Sequence, residues 1–207
     1  MSERGALIVV SGFAGAGKGS VVKQIVSKYP NYALSISMTT RSPRPGEVDG
    51  REYFFVTKDE FEEAISDRKL LEYANYVGNY YGTPKEYVEE QLNLGKDVIL
   101  EIEIQGALQV KSRFPDAVLM FVTPPSAQEL YKRLTGRATE TQAIIDKRMS
   151  RAFEESKIMD RYDYLLINDN LDECVETLHS LIETAHHAPS CNIGFIENIG
   201  KELEAFK

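Results

Sequence analysis

Apolar residues along this chain fall into two rhythms. Short continuous runs, rich in β-branched residues, occupy Ala6–Ser11, Ala33–Met38, Val98–Ile102, Val118–Val122 and Tyr164–Ile167. Runs of that length and composition predict strands buried on both faces. Between them lie longer stretches with helical spacing: Gly19–Lys28, Glu86–Leu94, Gln105–Arg113, Ala127–Leu134, Thr141–Met159 and Leu171–Ala185. Ser126 followed by Glu129 has capping-box spacing and marks a helix start. Strands alternating with crossover helices predict an α/β fold, a mostly parallel sheet with helices on both faces.

Residues 39 to 83 break the alternation. Pro43, Pro45, Gly46, Gly50, Gly78 and Gly82 punctuate aromatic-rich short runs such as Tyr53–Val56 and Tyr73–Val77. Thr57 with Glu60 is a second capping box, so a helix sits between those runs. The interval predicts a small mixed insertion carried on the core. A second irregular stretch, Thr135 to Thr139, joins two helices and carries Gly136 and Arg137. Beyond Pro189, the residues Phe195, Ile196, Ile199, Leu203 and Phe206 keep helical spacing, which predicts packing on the core or on a second subunit.

The whole chain of 207 residues suits one domain with insertions, and 43% hydrophobic content excludes disorder throughout. The net charge of −8 argues against a nucleic-acid polymer or an anionic membrane as partner, while leaving room for a small anion held by local cations. Cys174 and Cys191 have neither disulfide-scaffold nor zinc-site spacing, which suits a reducing compartment. Ala6–Val10 is too short to span a bilayer. These features predict a soluble, cytoplasmic protein. His186-His187 near the end reads as a solvated tail rather than a metal site.

The strongest chemical signal follows the first strand: Gly12-Phe13-Ala14-Gly15-Ala16-Gly17-Lys18-Gly19, opening the first helix. Gly-x-x-x-x-Gly-Lys in that setting is a phosphate-binding loop. Its glycines let backbone N–H groups point at phosphate oxygens, the helix N-terminus adds positive potential, and Lys18 reaches the β- and γ-phosphates. Where Ser or Thr usually follows the lysine to bind Mg²⁺, this chain has Gly19 and then Ser20. The ion, which keeps several waters, is therefore expected to be held by phosphates and water, with Ser20 or Glu101 as protein contributors.

A second anion site is written in Ser37-Met38-Thr39-Thr40-Arg41-Ser42-Pro43-Arg44. Arg41 and Arg44, three apart in a Pro-rich loop, suit a shared phosphate, and Tyr53 and Tyr81 offer hydroxyl donors. Solvated surface arginines are the plainer alternative. Glu72 matches the adjacent N1–H and N2 amino donors of guanine, with Ser37 and Thr83 as donors to O6, and equally reads as a strand-face carboxylate. From Tyr131 to Arg151 the local charge is +4, with Arg133 and Arg137 around Gly136 and Arg148 and Arg151 at i, i+3. Such arginines stabilise a phosphoryl group in flight, or simply lace a solvated helix with salt bridges. Glu101 and Glu103 end a buried strand and point to one side, where ligands of α/β sheets bind.

Together these motifs resemble the guanylate kinase family over about residues 6 to 185. The same stretch includes Gly50-Arg51-Glu52-Tyr53-Phe54-Phe55, Gly78-Asn79-Tyr80-Tyr81-Gly82, Leu100-Glu101-Ile102-Glu103-Ile104-Gln105-Gly106, Pro124-Pro125-Ser126 and Ile167-Asn168-Asp169. The resemblance implies a P-loop core of about 1–35, 87–127 and 153–207, a GMP-binding insertion of about 36–86 and a helical lid of about 128–152. It implies transfer of the γ-phosphoryl group of MgATP to GMP or dGMP. Lys18, Arg41, Arg133, Arg137 and Arg148 would be catalytic. Gly12, Phe13, Ala14, Gly15, Ala16, Gly17, Lys18, Gly19, Ser20 and Asn168 would bind ATP. Ser37, Arg41, Arg44, Tyr53, Glu72, Tyr81, Thr83 and Glu103 would bind GMP.

The chain departs from the family pattern at Phe13-Ala14, where Pro-Ser is usual, and at Glu103, where Asp is usual. A nucleotide-free interaction module of the same fold and a kinase for AMP or dTMP are the competing readings. Lys18 and the arginines oppose the first, and Glu72 with Ser37 and Thr83 the second.

Overall fold

A run such as Leu7–Val10 has no polar face, so it is stable only where a sheet is covered on both sides. Every residue of Leu7–Gly12 is buried. The computed structural model describes residues 4–76, 78–136 and 141–207. Along it run β1 (Leu7–Gly12), α1 (Lys18–Lys28), β2 (Tyr32–Leu34), β3 (Met38–Thr39), β4 (Phe54–Phe55), α2 (Lys58–Ser66), β5 (Leu70–Tyr76), β6 (Asn79–Pro84) and α3 (Lys85–Asn93). Then follow β7 (Asp97–Glu101), α4 (Ile104–Arg113), β8 (Val118–Thr123), α5 (Ala127–Thr135), α6 (Gln142–Ser156), β9 (Tyr164–Ile167), α7 (Leu171–Ala185) and α8 (Ile193–Glu204).

Five strands form a parallel sheet in the order β2-β7-β1-β8-β9. Because all five run the same way, their carboxyl ends share one edge, where Gly12, Glu101, Thr123 and Ile167 stand. The second sheet, β4-β3-β6-β5, is mixed. It has its own small cluster of Phe61, Ala64 and Leu70. The neighbouring Leu71 belongs instead to the main core, so β5 is the seam between the two units.

Three expectations change. Ala33–Met38 is not one strand: β2 ends at Leu34, Ser35 still donates its N–H to Ile99, and the chain then joins the second sheet at Met38. Moving from one sheet to the next needs no change in extended backbone, so the alternation of apolar residues continues unbroken. The helix expected over Thr141–Met159 stops at Ser156, and a 3₁₀ turn covers Met159–Arg161. His186 is not a solvated tail, since its Nε2 lies 2.9 Å from the buried carboxylate of Asp97.

Both capping signals mark true helix starts. Glu60 donates its N–H to Thr57 while its carboxylate accepts the Thr57 N–H at 2.7 Å. At Ser126 only half the box forms, because the Glu129 carboxylate turns to Arg133. No residue of α8 is buried, so its apolar side does not pack on the core. Among the described residues no helix is long and apolar enough to cross a membrane.

Candidate active site

The phosphate loop leaves the middle of the parallel sheet. Phe13 is buried and meets Phe121 edge-on, centroids 4.9 Å apart, which anchors the loop's side chain in the core. Gly17 starts α1 in the left-handed region, and a Cβ there would lie 2.4 Å from Asn168 Nδ2. No other residue fits that position without displacing Asn168. Asn168 is itself buried and donates to the Ala16 carbonyl at 2.8 Å. Arg133 reaches the same carbonyl at 3.5 Å. Lys18 folds back over the loop, its Nζ donating to Gly12 O at 2.7 Å.

Two cavities open on this edge. One, about 400 Å³, is lined by Phe13, Gly15, Gly17, Lys18, Gly19, Ser20, Lys23 and Glu101. The other, about 410 Å³, lies between the two sheets, and its lining includes Ser37, Tyr53, Glu72, Tyr81, Glu103 and Gly106. Lys18 and Glu101 line both. Surrounding protein pushes the Glu101 carboxyl above its ordinary range, with the Lys18 charge acting against the rise. Glu101 also overhangs the start of α1, within 3.5 Å of where a Gly19 Cβ would stand.

The residues read as base-recognising do not all project freely. Glu72 is buried, which drives its pKa up, against the hydrogen bond from Thr83 and the charge of Arg113. Thr83 is wholly buried and spends its hydroxyl on Glu72 Oε1 at 2.7 Å. Thr83 therefore sits behind the carboxylate rather than in the cavity lining. Glu103 stands just before α4 without a side-chain capping bond and pairs instead with Arg151 at 2.5 Å, and Arg151 also pairs with Glu155.

The two loop arginines are arranged by a residue that the sequence did not single out. Glu47 accepts the Arg41 guanidinium at 2.9 Å and the Arg44 backbone N–H at 2.7 Å. The Arg44 N–H and, after it, Arg41 hold the Glu47 carboxyl below its usual range. Arg41 also lies over the rings of Tyr53 and Phe55, at 5.3 and 5.7 Å. Its spacing from Arg41 was the available signal for Glu47, six residues on across a Pro-Gly turn.

Arg133 bridges Glu129 and the phosphate loop. Arg148 is half-buried on α6. Arg137 lies outside the described residues. Ser20 is exposed beside Lys18 at the start of α1, and Ala14 is exposed on the loop.

A family model described as guanylate kinase matches residues 4–185. The guanylate kinase of Bacillus subtilis is 53% identical over 187 residues, covering 90% of this chain and 92% of that protein. That of Streptococcus pyogenes is 55% identical over 187 residues, with 90% and 89% covered. The crystal structure of guanylate kinase from Anaplasma phagocytophilum superposes with a TM-score of 0.72 at 27% identity, over 92% of this chain and 90% of that one. Both the order of the motifs and the architecture that brings them to one sheet edge are thus shared across nearly the full length: this chain belongs to the guanylate kinase family.

Proposed function

We propose that the protein transfers the γ-phosphoryl group of MgATP to GMP or dGMP, yielding ADP and GDP or dGDP. The observation that carries this reading is the meeting of two cavities at Lys18 and Glu101. One is framed by a phosphate loop and the other by a buried carboxylate suited to guanine. A GMP phosphate oxygen forms the new bond to the γ-phosphorus as the bond to the bridging oxygen breaks, and ADP leaves with that electron pair. No general base is needed, since a phosphomonoester with a second pKa of about 6 is largely ionised near neutral pH.

In this reading Lys18 exchanges its contacts with the loop carbonyls for phosphate oxygens, and the loop N–H groups hold the ATP phosphates. Arg41, Arg44, Tyr53 and Tyr81 take the GMP phosphate, while Ser37, Glu72 and Glu103 read the base, Thr83 acting through Glu72. Arg133, Arg137 and Arg148 stabilise the transferring group from a lid of about 128–152, over an insertion of about 36–86. Asn168 serves ATP by holding the loop at Ala16.

The carboxylate of Glu101 and the hydroxyl of Ser20 are oxygen donors on the loop cavity, a set that fits Mg²⁺. When bound, the ion neutralises phosphate charge. A cytoplasmic setting belongs to the same reading and rests on cysteine spacing that suits a reducing compartment, while the net charge of −8 disfavours nucleic-acid and membrane partners.

The test is ADP release measured with ATP and a panel of GMP, dGMP, AMP and dTMP. GMP should be the best acceptor by kcat/KM. A better AMP or dTMP would overturn the substrate assignment.

A further inference from the structure

The pairing of β5 with β6 slips at the residue whose aim decides the base. Leu70 pairs with Pro84 and Tyr73 with Gly82, so Leu71 and Glu72 together oppose the single residue Thr83. A bulge of this kind re-aims a side chain and disrupts the local hydrogen-bond ladder. Backbone polar groups there need other partners.

Helix α4 supplies them from one face, at i, i+3 and i+7. Arg113 donates through Nη1 to the Leu71 carbonyl at 2.7 Å and to the Leu70 carbonyl at 3.3 Å. Gln109 donates through Nε2 to the Tyr73 carbonyl at 3.2 Å. Gly106 supplies space, because a Cβ there would lie 2.6 Å from Glu72 Oε2 and 3.1 Å from its Cδ. Backbone on both sides of Glu72 is therefore tied to α4, and its carboxylate rests on the helix between Thr83 and Gly106.

We propose that the Gly106, Gln109 and Arg113 face of α4 is a specificity-determining element that holds the bulge and so aims Glu72 at the base. Arg113 acts in it as a positioning residue. The inference rests on the reading of Glu72 as the guanine-recognising carboxylate. The charged groups facing Glu72 are Arg113 from α4 and, lining the shared cavity, Lys18, Glu101 and Glu103, while β6 presents the neutral Thr83.

The experiment measures GMP and ATP affinity by calorimetry across pH, with steady-state kinetics, for Glu72→Gln, Gly106→Ala, Arg113→Met, Arg113→Lys and Glu72→Gln/Arg113→Met. Gly106→Ala and Arg113→Met are each expected to raise the KM for GMP by roughly tenfold or more. ATP affinity and kcat should stay within about twofold. With its opposing cation gone, Glu72 should protonate at higher pH, so the acid limb of GMP binding moves up in Arg113→Met and returns in Arg113→Lys. Added to Glu72→Gln, Arg113→Met should cost less than about twofold more.

If Glu72→Gln weakens GMP but Gly106→Ala and Arg113→Met do not, the role of α4 is overturned while that of Glu72 stands. Proportionate loss of GMP affinity, ATP affinity and kcat in Arg113→Met would also overturn it, by making Arg113 merely structural. If Glu72→Gln leaves GMP-over-AMP discrimination unchanged, the reading of Glu72 fails, and this inference fails with it.

Discussion

The two sheets meet the same solvent with very different reserves. In the parallel sheet Ile8, Val9 and Val10 of β1 and Val98, Ile99 and Leu100 of β7 have no exposed surface at all. The mixed sheet relies on Phe61, Ala64 and Leu70, with half-buried Met38, Tyr73 and Tyr80 around them. The first therefore holds its loop rigidly, down to the edge-on Phe13–Phe121 contact. The second borrows rigidity through β5, whose Leu71 enters the main core and whose carbonyls are taken by Arg113. A phosphate, recognised by convergent backbone N–H groups, needs the stiffer frame. Glu72, the carboxylate proposed to read the base, is placed by a thinner unit and leans on α4.

Lys18→Met tests the place where the cavities of the two regions share a lining residue, and the largest effect is expected there. Turnover should fall by about 10³-fold or more, with thermal unfolding near wild type. Wild-type-like turnover would overturn the catalytic role proposed for Lys18.

Phe61→Ala tests the independence of the smaller core. Phe61 has no exposed surface and stacks on Tyr80 with centroids 5.1 Å apart. Its truncation should cost roughly 3–5 kcal/mol of local stability. GMP affinity should suffer far more than ATP affinity when both are measured by calorimetry. An equal loss of the two would mean that the sheets stand or fall together.

The smallest effect concerns what Glu72 costs the fold. Burial raises its folded pKa above the unfolded value, so the native state holds more protons between the two. Stability then falls as pH rises through that window. Above it, Glu72→Gln should melt a few degrees higher than wild type; well below the ordinary carboxylate range the difference should vanish. A lower melting temperature for the variant at neutral pH would show that the ionised carboxylate is a stabilising group.

Much of the molecule was legible from periodicity and punctuation. The bounds of Val118–Val122 and Tyr164–Ile167 differ from the structure by at most one residue, but only the first is buried as its apolar run predicts: β9 lies at the edge of the sheet, where Leu165 and Ile167 are exposed. The switch of the chain between sheets after Leu34 was not legible, since both halves are extended. The helical spacing of 195–206 gave α8 but not its surroundings, and all of its large apolar residues are exposed. Within the site, the residue types were readable and their partners were not: Thr83 serves Glu72, Asn168 serves Ala16, and Glu47 organises Arg41 and Arg44.

By itself, then, the sequence determined the class of fold and the phosphate loop through local patterns and side-chain types, and it pointed to the kind of nucleotide chemistry through its resemblance to a family. Only the tertiary structure decided that Lys18 and Glu101 stand between two cavities, that a bulge turns Glu72, and that α4 supports it. Hydrophobic periodicity fixes which face of an element is buried. Which residue meets which across that face depends on register and crossing, and those are settled only when the elements pack.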